Sequence, residues 1–116
     1  MCLILIVEDE ARLAAFVEKG LRQNGFNTRV IGDGEQALKE ARSQPFDLMI
    51  LDLGLPKVNG WGVLQELKRL GNVQPVIVMT AETDARKVAL EAGAQDYIPK
   101  PFRFQDLLTA IKAQLA

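Results

Sequence analysis

Histidine is absent from the 116 residues, and cysteine occurs once, at Cys2. Without histidine the chain lacks the commonest metal ligand and the commonest general base, and a lone cysteine excludes an internal disulfide and a cysteine zinc site. That usage fits a reducing, cytoplasmic setting. No long hydrophobic run is present: the N-terminal stretch Leu3 to Val7 is too short for the apolar region of a signal peptide and far too short to span a bilayer. A soluble protein with no membrane association is expected. A surplus of either charge is lacking as well. With 14 Lys and Arg against 15 Asp and Glu, the formal net charge is -1, so a broad nucleic-acid-binding surface is not favoured. Any DNA contact would need another domain. Neither a G-x-G-x-x-G nor a G-x-x-x-x-G-K pattern follows the first apolar run, which argues against a nucleotide-binding module.

The length suits one domain, residues 1 to 116, with a single core that needs no covalent staple. Short apolar runs alternate with longer stretches of helical spacing, and that alternation predicts an α/β fold. The strand candidates are LILIV (3 to 7), FNTRVI (26 to 31), LMIL (48 to 51), PVIVMT (75 to 80) and DYI (96 to 98). The first, third and fourth are almost uniformly apolar, as strands covered on both faces should be; the second alternates more and is expected at an edge. Between them, Leu13, Phe16, Val17 and Leu21 mark a first helix stopped by Gly25. Asp33 can cap a second, which carries Ala37, Leu38 and Ala41 and ends before Pro45. Val63, Leu64, Leu67 and Leu70 mark a third ended by Gly71, and Val88, Ala89 and Ala92 a short fourth ended by Gly93. Phe104, Leu107, Leu108, Ile111 and Leu115 mark a fifth. No internal repeat, low-complexity segment or linker interrupts them.

Parallel strands joined by right-handed helical crossovers make a doubly wound sheet, whose ligands lie outside the carboxyl ends of the strands. Glu8 and Asp9 follow the first strand, Asp52 the third, Thr80 ends the fourth, and Lys100 lies just past the fifth. All five are thereby predicted at one edge. Three carboxylates gathered there repel: at about 4 Å and an effective dielectric near 20, each close pair costs on the order of 4 kcal/mol. Lys100 supplies one compensating charge, and the remainder suggests a divalent ion. Oxygen donors without His or Cys select a hard cation, and two carboxylates plus waters suit Mg²⁺ better than a many-ligand calcium cage. Gly54 either lets a backbone carbonyl approach that ion or serves as a plain turn glycine. An Asp beside Mg²⁺, a hydroxyl and a lysine is a plausible phosphoryl acceptor, because carboxylates form aspartyl phosphates and cations stabilise the transferring group.

The segments VEDE (7 to 10), DLGLPKVNGWGVL (52 to 64), PVIVMTA (75 to 81) and EAGAQDYIPKPF (91 to 102), in that order, resemble the receiver domain of two-component response regulators from end to end. DLGLP together with PFRFQDLL is most similar to the branch that carries a C-terminal winged-helix DNA-binding domain (OmpR/PhoB-like). The resemblance implies a flavodoxin-like (βα)5 fold with a five-stranded parallel sheet in the order 2-1-3-4-5. It implies that Asp52 accepts a phosphoryl group from a phosphohistidine on a sensor histidine kinase or phosphotransfer protein, so that the missing histidine belongs to the partner. Asp9, Asp52 and the Gly54 carbonyl would hold Mg²⁺, with Glu8 supporting it through water. Lys100 would pair with one phosphoryl oxygen, and the Thr80 hydroxyl and Ala81 N–H with another. Tyr97 would turn inward as Thr80 shifts, and the bond before Pro101 would be cis. Such a domain is a phospho-switch, not an enzyme with an independent substrate: it assists only its own phosphorylation and hydrolysis. Its output would be transcriptional regulation through a DNA-binding domain outside this chain, which makes 116 residues a fragment of a longer regulator.

Three features qualify the resemblance. The stretch from Thr80 to Tyr97 is slightly shorter than is common in the family. In the winged-helix branch, active homodimers pair charges across helix four, strand five and helix five; Arg86 with Asp106 and Glu91 with Lys112 match that pattern, but Asp96 faces Ala110 where the branch usually has Arg. Glu82, two residues past Thr80, stands where the family tunes the lifetime of the acyl phosphate; a carboxylate there either orients or repels the attacking water. Two rival readings are a never-phosphorylated interaction module and a phosphohydrolase of the haloacid-dehalogenase kind. The second would favour a further Asp where Gly54 stands.

Overall fold

In a computed structural model, which describes residues 2–82 and 84–116, strands and helices alternate from end to end. The strands are β1 (Leu3–Val7), β2 (Asn27–Ile31), β3 (Leu48–Asp52), β4 (Val76–Thr80) and β5 (Asp96–Pro99). The helices are α1 (Ala11–Gln23), α2 (Gly34–Ser43), α3 (Gly60–Arg69), α4 (Arg86–Glu91) and α5 (Phe104–Leu115). All strand pairs are parallel and the order is β2-β1-β3-β4-β5, as the resemblance implied.

Every residue of β3 and β4 is buried, because their alternate side chains feed two separate cores. Ile4, Ile6, Leu48, Ile50, Ile77 and Met79 point to the face covered by α1 and α5. Leu5, Val7, Met49, Leu51, Val76 and Val78 point to the face covered by α2, α3 and α4. Each such side chain, taken fully from water, contributes roughly 1.5–3 kcal/mol. β2 lies at an edge, as its mixed composition predicts, and keeps only Ile31 buried. β5 forms the other edge and runs one residue further than expected, to Pro99, a residue that edge strands tolerate.

Local chemistry sets the helix ends. Asp33 accepts a hydrogen bond from the Gln36 N–H at 2.8 Å and caps α2; Asn59 accepts from Gly62 at 3.0 Å and caps α3. Gly25 and Gly71, at φ 87° and 76°, take the left-handed conformation that closes α1 and α3. Three apolar residues expected on buried faces lie outside them. Phe16 is 52% exposed, since the buried stripe of α1 runs through Ala14, Val17 and Leu21 while Phe16 leans on Phe104 at the rim. Leu70 is exposed because it falls one position past the last helical residue of α3. Val88 is exposed because α4, only 6 residues long, buries Ala89 alone.

Candidate functional site

The carboxyl ends of the strands bring the five polar residues together. Glu8 directly follows β1, and its N–H extends the ladder to the Ile31 carbonyl at 2.9 Å, which fixes a buried carboxylate at the sheet edge. Asp9, next along, is exposed. Asp52 is the last residue of β3 and only 6% exposed; the Gly54 N–H donates to its Oδ1 at 3.2 Å. Thr80 ends β4, and its Oγ1 accepts the Glu82 N–H at 3.1 Å. Lys100 follows β5, where its own N–H donates to the Thr80 carbonyl at 2.8 Å; the Lys100–Pro101 bond is cis.

The charges interlock unevenly. The Lys100 Nζ donates to Glu8 Oε1 at 2.8 Å and lies 3.6 Å from Asp52 Oδ1, so the ammonium is held chiefly by Glu8. The other Glu8 oxygen accepts the Glu10 N–H at 3.0 Å. Burial nevertheless pushes the Glu8 carboxyl above the usual glutamate range, and the Asp52 charge adds to this against the two hydrogen bonds. For Lys100, burial acts downward, but the hydrogen bond to Glu8 and the charges of Asp52 and Glu8 outweigh it and hold the ammonium above the usual lysine range.

Oxygens of Glu8, Asp9 and Asp52 all lie within 4.8 Å of one another. An octahedral Mg²⁺ with bonds of about 2.1 Å spaces adjacent ligands about 3.0 Å and opposite ligands about 4.2 Å apart, so these oxygens would have to draw together around the ion. The donors are hard oxygens, and one of the three carboxylates is already partly neutralised by Lys100. The residues therefore fit a small divalent cation.

Past the site, Tyr97 is buried, 8% exposed, and its hydroxyl donates to the Glu82 carbonyl at 3.0 Å. Thr80 and Tyr97 thus grip the same residue, one at its N–H and the other at its C=O. Ala81, beside them, is exposed and lines a groove of about 490 Å³ with Lys100, Pro101, Phe102, Arg12 and Phe16. Arg86, Glu91, Asp106 and Lys112 are all exposed, and no ion pair among the described residues involves them. Two participants escaped the sequence: the Glu10 amide, a backbone donor with no side-chain signal, and the Glu82 backbone, whose part depends on a turn.

A five-stranded parallel sheet in this order, with an acidic cluster and a lysine at its carboxyl edge, defines a class, and the chain belongs to it: residues 4–112 match the response regulator receiver domain family. Among its relatives, the DNA-binding response regulator MtrA of Mycobacterium tuberculosis (strain ATCC 25618 / H37Rv) is 46% identical over 114 residues, which cover 97% of this chain and 50% of that protein. The response regulator ArlR of Staphylococcus epidermidis is 42% identical over 114 residues, covering 97% of this chain and 52% of that protein. The chain therefore spans about half the length of these relatives. Among solved structures, the response regulator protein TrrA from Thermotoga maritima, in complex with Mg²⁺-BeF, superimposes with a TM-score of 0.91 at 30% identity, covering 99% of this chain and 100% of that one. No helix among the described residues is long and apolar enough to cross a membrane.

Proposed function

We propose that the chain, residues 1 to 116, is a single receiver domain that takes a phosphoryl group onto Asp52 from a phosphohistidine on a sensor histidine kinase or phosphotransfer protein. The observation that carries this reading is the buried Asp52 carboxylate, within 3.6 Å of Lys100 and clustered with Glu8 and Asp9. An Asp52 oxygen attacks phosphorus, the P–N bond to the donor imidazole breaks, a P–O bond forms, and the imidazole leaves with the bonding pair. Asp9, Asp52 and the Gly54 carbonyl, with Glu8 through water, would hold Mg²⁺, which would supply positive charge against the phosphoryl oxygens. The Mg²⁺-BeF complex of TrrA supports that assignment.

Lys100 turns from Glu8 toward a phosphoryl oxygen, a short move for a side chain already between the two carboxylates. The Thr80 hydroxyl and Ala81 N–H take another oxygen. When Thr80 turns to the phosphoryl group it gives up the Glu82 N–H, and the bond from Tyr97 to the Glu82 carbonyl passes the change to β5. The groove lined by Lys100 and Ala81 gives a protein donor a surface at the rim of the site. The domain assists its own phosphorylation and hydrolysis and turns over no independent substrate. The face of α4, β5 and α5 reports the state through a phosphorylation-dependent homodimer pairing Arg86 with Asp106 and Glu91 with Lys112. Output is transcriptional, through a DNA-binding segment outside these residues, in the cytoplasm; the DNA-binding relative MtrA supports this.

Incubation with Mg²⁺ and a small-molecule phosphodonor, followed by intact mass measurement, should give one phosphoryl increment that disappears in Asp52→Asn. No increment would favour a silent interaction module, and steady release of phosphate from an outside substrate would favour a hydrolase.

A further inference from the structure

The loop from Leu53 to Gly60 carries Gly54 two residues past Asp52, and three glycines from two helices hold it. Gly60 closes it from within: its N–H donates to the Leu53 carbonyl at 2.8 Å, and a Cβ there would stand 2.4 Å from the Asp52 carbonyl oxygen. Gly62 leaves room for a Val58 methyl, which would be 2.9 Å from an added Cβ. The third contact comes from a helix with no part in the site. Gly34, the first residue of α2, donates its N–H to the Pro56 carbonyl at 3.4 Å, and a Cβ at Gly34 would overlap the Val58 carbonyl oxygen at 1.7 Å. Beside it, Asp33 lies 3.9 Å from the Lys57 ammonium, and Lys57 is held in the left-handed region at φ 66°.

We propose that Gly34 is a positioning residue for the phosphoacceptor loop: the bare N-terminal turn of α2 presses segment 56–58 against α3 and so fixes where Gly54 presents its backbone to Asp52 and the metal. The overlap at Val58 is with backbone, which cannot swing aside as a flexible side chain would. Inside the loop, Leu53 and Leu55 are buried in the core and cannot yield inward. A displacement imposed at Val58 therefore travels along the loop toward Gly54. The inference rests on the reading of Asp52 as phosphoacceptor.

Gly34→Ala tests it, with Ala41→Gly as a control that weakens α2 by helix propensity without touching the loop. The readouts are the amide resonance of Gly54 in metal-free protein, Mg²⁺ affinity by fluorescence of Trp61, the second residue of α3, and the initial rate with a small phosphodonor at saturating Mg²⁺. Gly34→Ala should move the Gly54 resonance, weaken Mg²⁺ binding about 10-fold and slow phosphorylation about 10- to 100-fold, since a shift near 1 Å in a reacting geometry has effects of that order. Ala41→Gly should leave all three at parental values. Where Gly34→Ala does not fold, Val58→Ala, which removes the methyl packed over Gly62, loosens the same loop segment from its α3 side and should shift the readouts in the same direction. A Gly34→Ala protein with parental resonance, affinity and rate overturns the proposal. A parent chain that binds no Mg²⁺ and takes no phosphoryl group overturns the function reading instead, and the metal-free Gly54 resonance then still decides whether Gly34 positions the loop.

Discussion

Glu8 is the carboxylate of the site on which burial and pairing pull hardest against each other. Its carboxylate is buried, shares Lys100 with Asp52, and holds its proton above the ordinary glutamate range because burial outweighs both of its hydrogen bonds. The folded chain thus binds this proton more tightly than the unfolded chain does. The resulting stability is fully present below the ordinary glutamate range and is lost as pH rises through the folded-state value. In metal-free protein, Glu8→Gln should therefore gain on the parent as pH rises from about 4 to about 7. Urea unfolding of both proteins across that range measures it, and parallel profiles would remove Glu8 as the source. Lys100 does not blur this window: its raised value keeps its contribution intact below the ordinary lysine range, to be lost only in alkali. The site carboxylates were legible in the sequence because each ends an apolar run, where a charge has no structural reason to stand. Which of them holds Lys100 was not, since that depends on a distance difference of less than an ångström.

At the scale of elements, α1 and α5 meet where Gly20 faces the Phe104 ring. A Cβ at Gly20 would stand 2.5 Å from two ring atoms, and Phe104 in turn meets Phe16 edge-on at 6.0 Å between centroids. Two effects of Gly20→Ala oppose each other: alanine gains about 1 kcal/mol over glycine within a helix, while overpacking typically costs about 1–3 kcal/mol. The substitution should destabilise the parent yet stabilise a Phe104→Ala background by about 1 kcal/mol, where only the helix gain remains. Thermal unfolding of the four proteins checks this; additive effects would show that the two helices do not press on each other there. Periodicity located all five helices and all five strands, because the burial of β3 and β4 on both faces and the glycine stops of α1 and α3 are written locally. It could not place Phe16, Leu70 and Val88. Each fits an apolar stripe by spacing, and only the neighbouring elements decide that α1 turns Val17 inward, that α3 has already ended, and that α4 buries a single alanine.

For the whole molecule, the face proposed to report the state, built from α4, β5 and α5, rests on exposed charges. Its four charged residues stand exposed, and exposed pairs contribute only about 0 to 1 kcal/mol each. Asp96 is already engaged by its own neighbour's N–H, and position 110 carries an alanine. The phosphorylated chain should therefore dimerise weakly, remaining largely monomeric at low micromolar concentration in sedimentation; a tight dimer there would contradict this. The close approach of Gly34 to the loop after β3 has no signal in the sequence, because it exists only once the sheet is assembled. The same holds for the ion pair of Glu8 and Lys100, whose partners are 92 positions apart. During synthesis, Asp52 and both neighbouring carboxylates leave the ribosome well before the lysine that balances them. An incomplete chain thus carries the acidic cluster without its cation, and the site is complete only after β5 has taken its place.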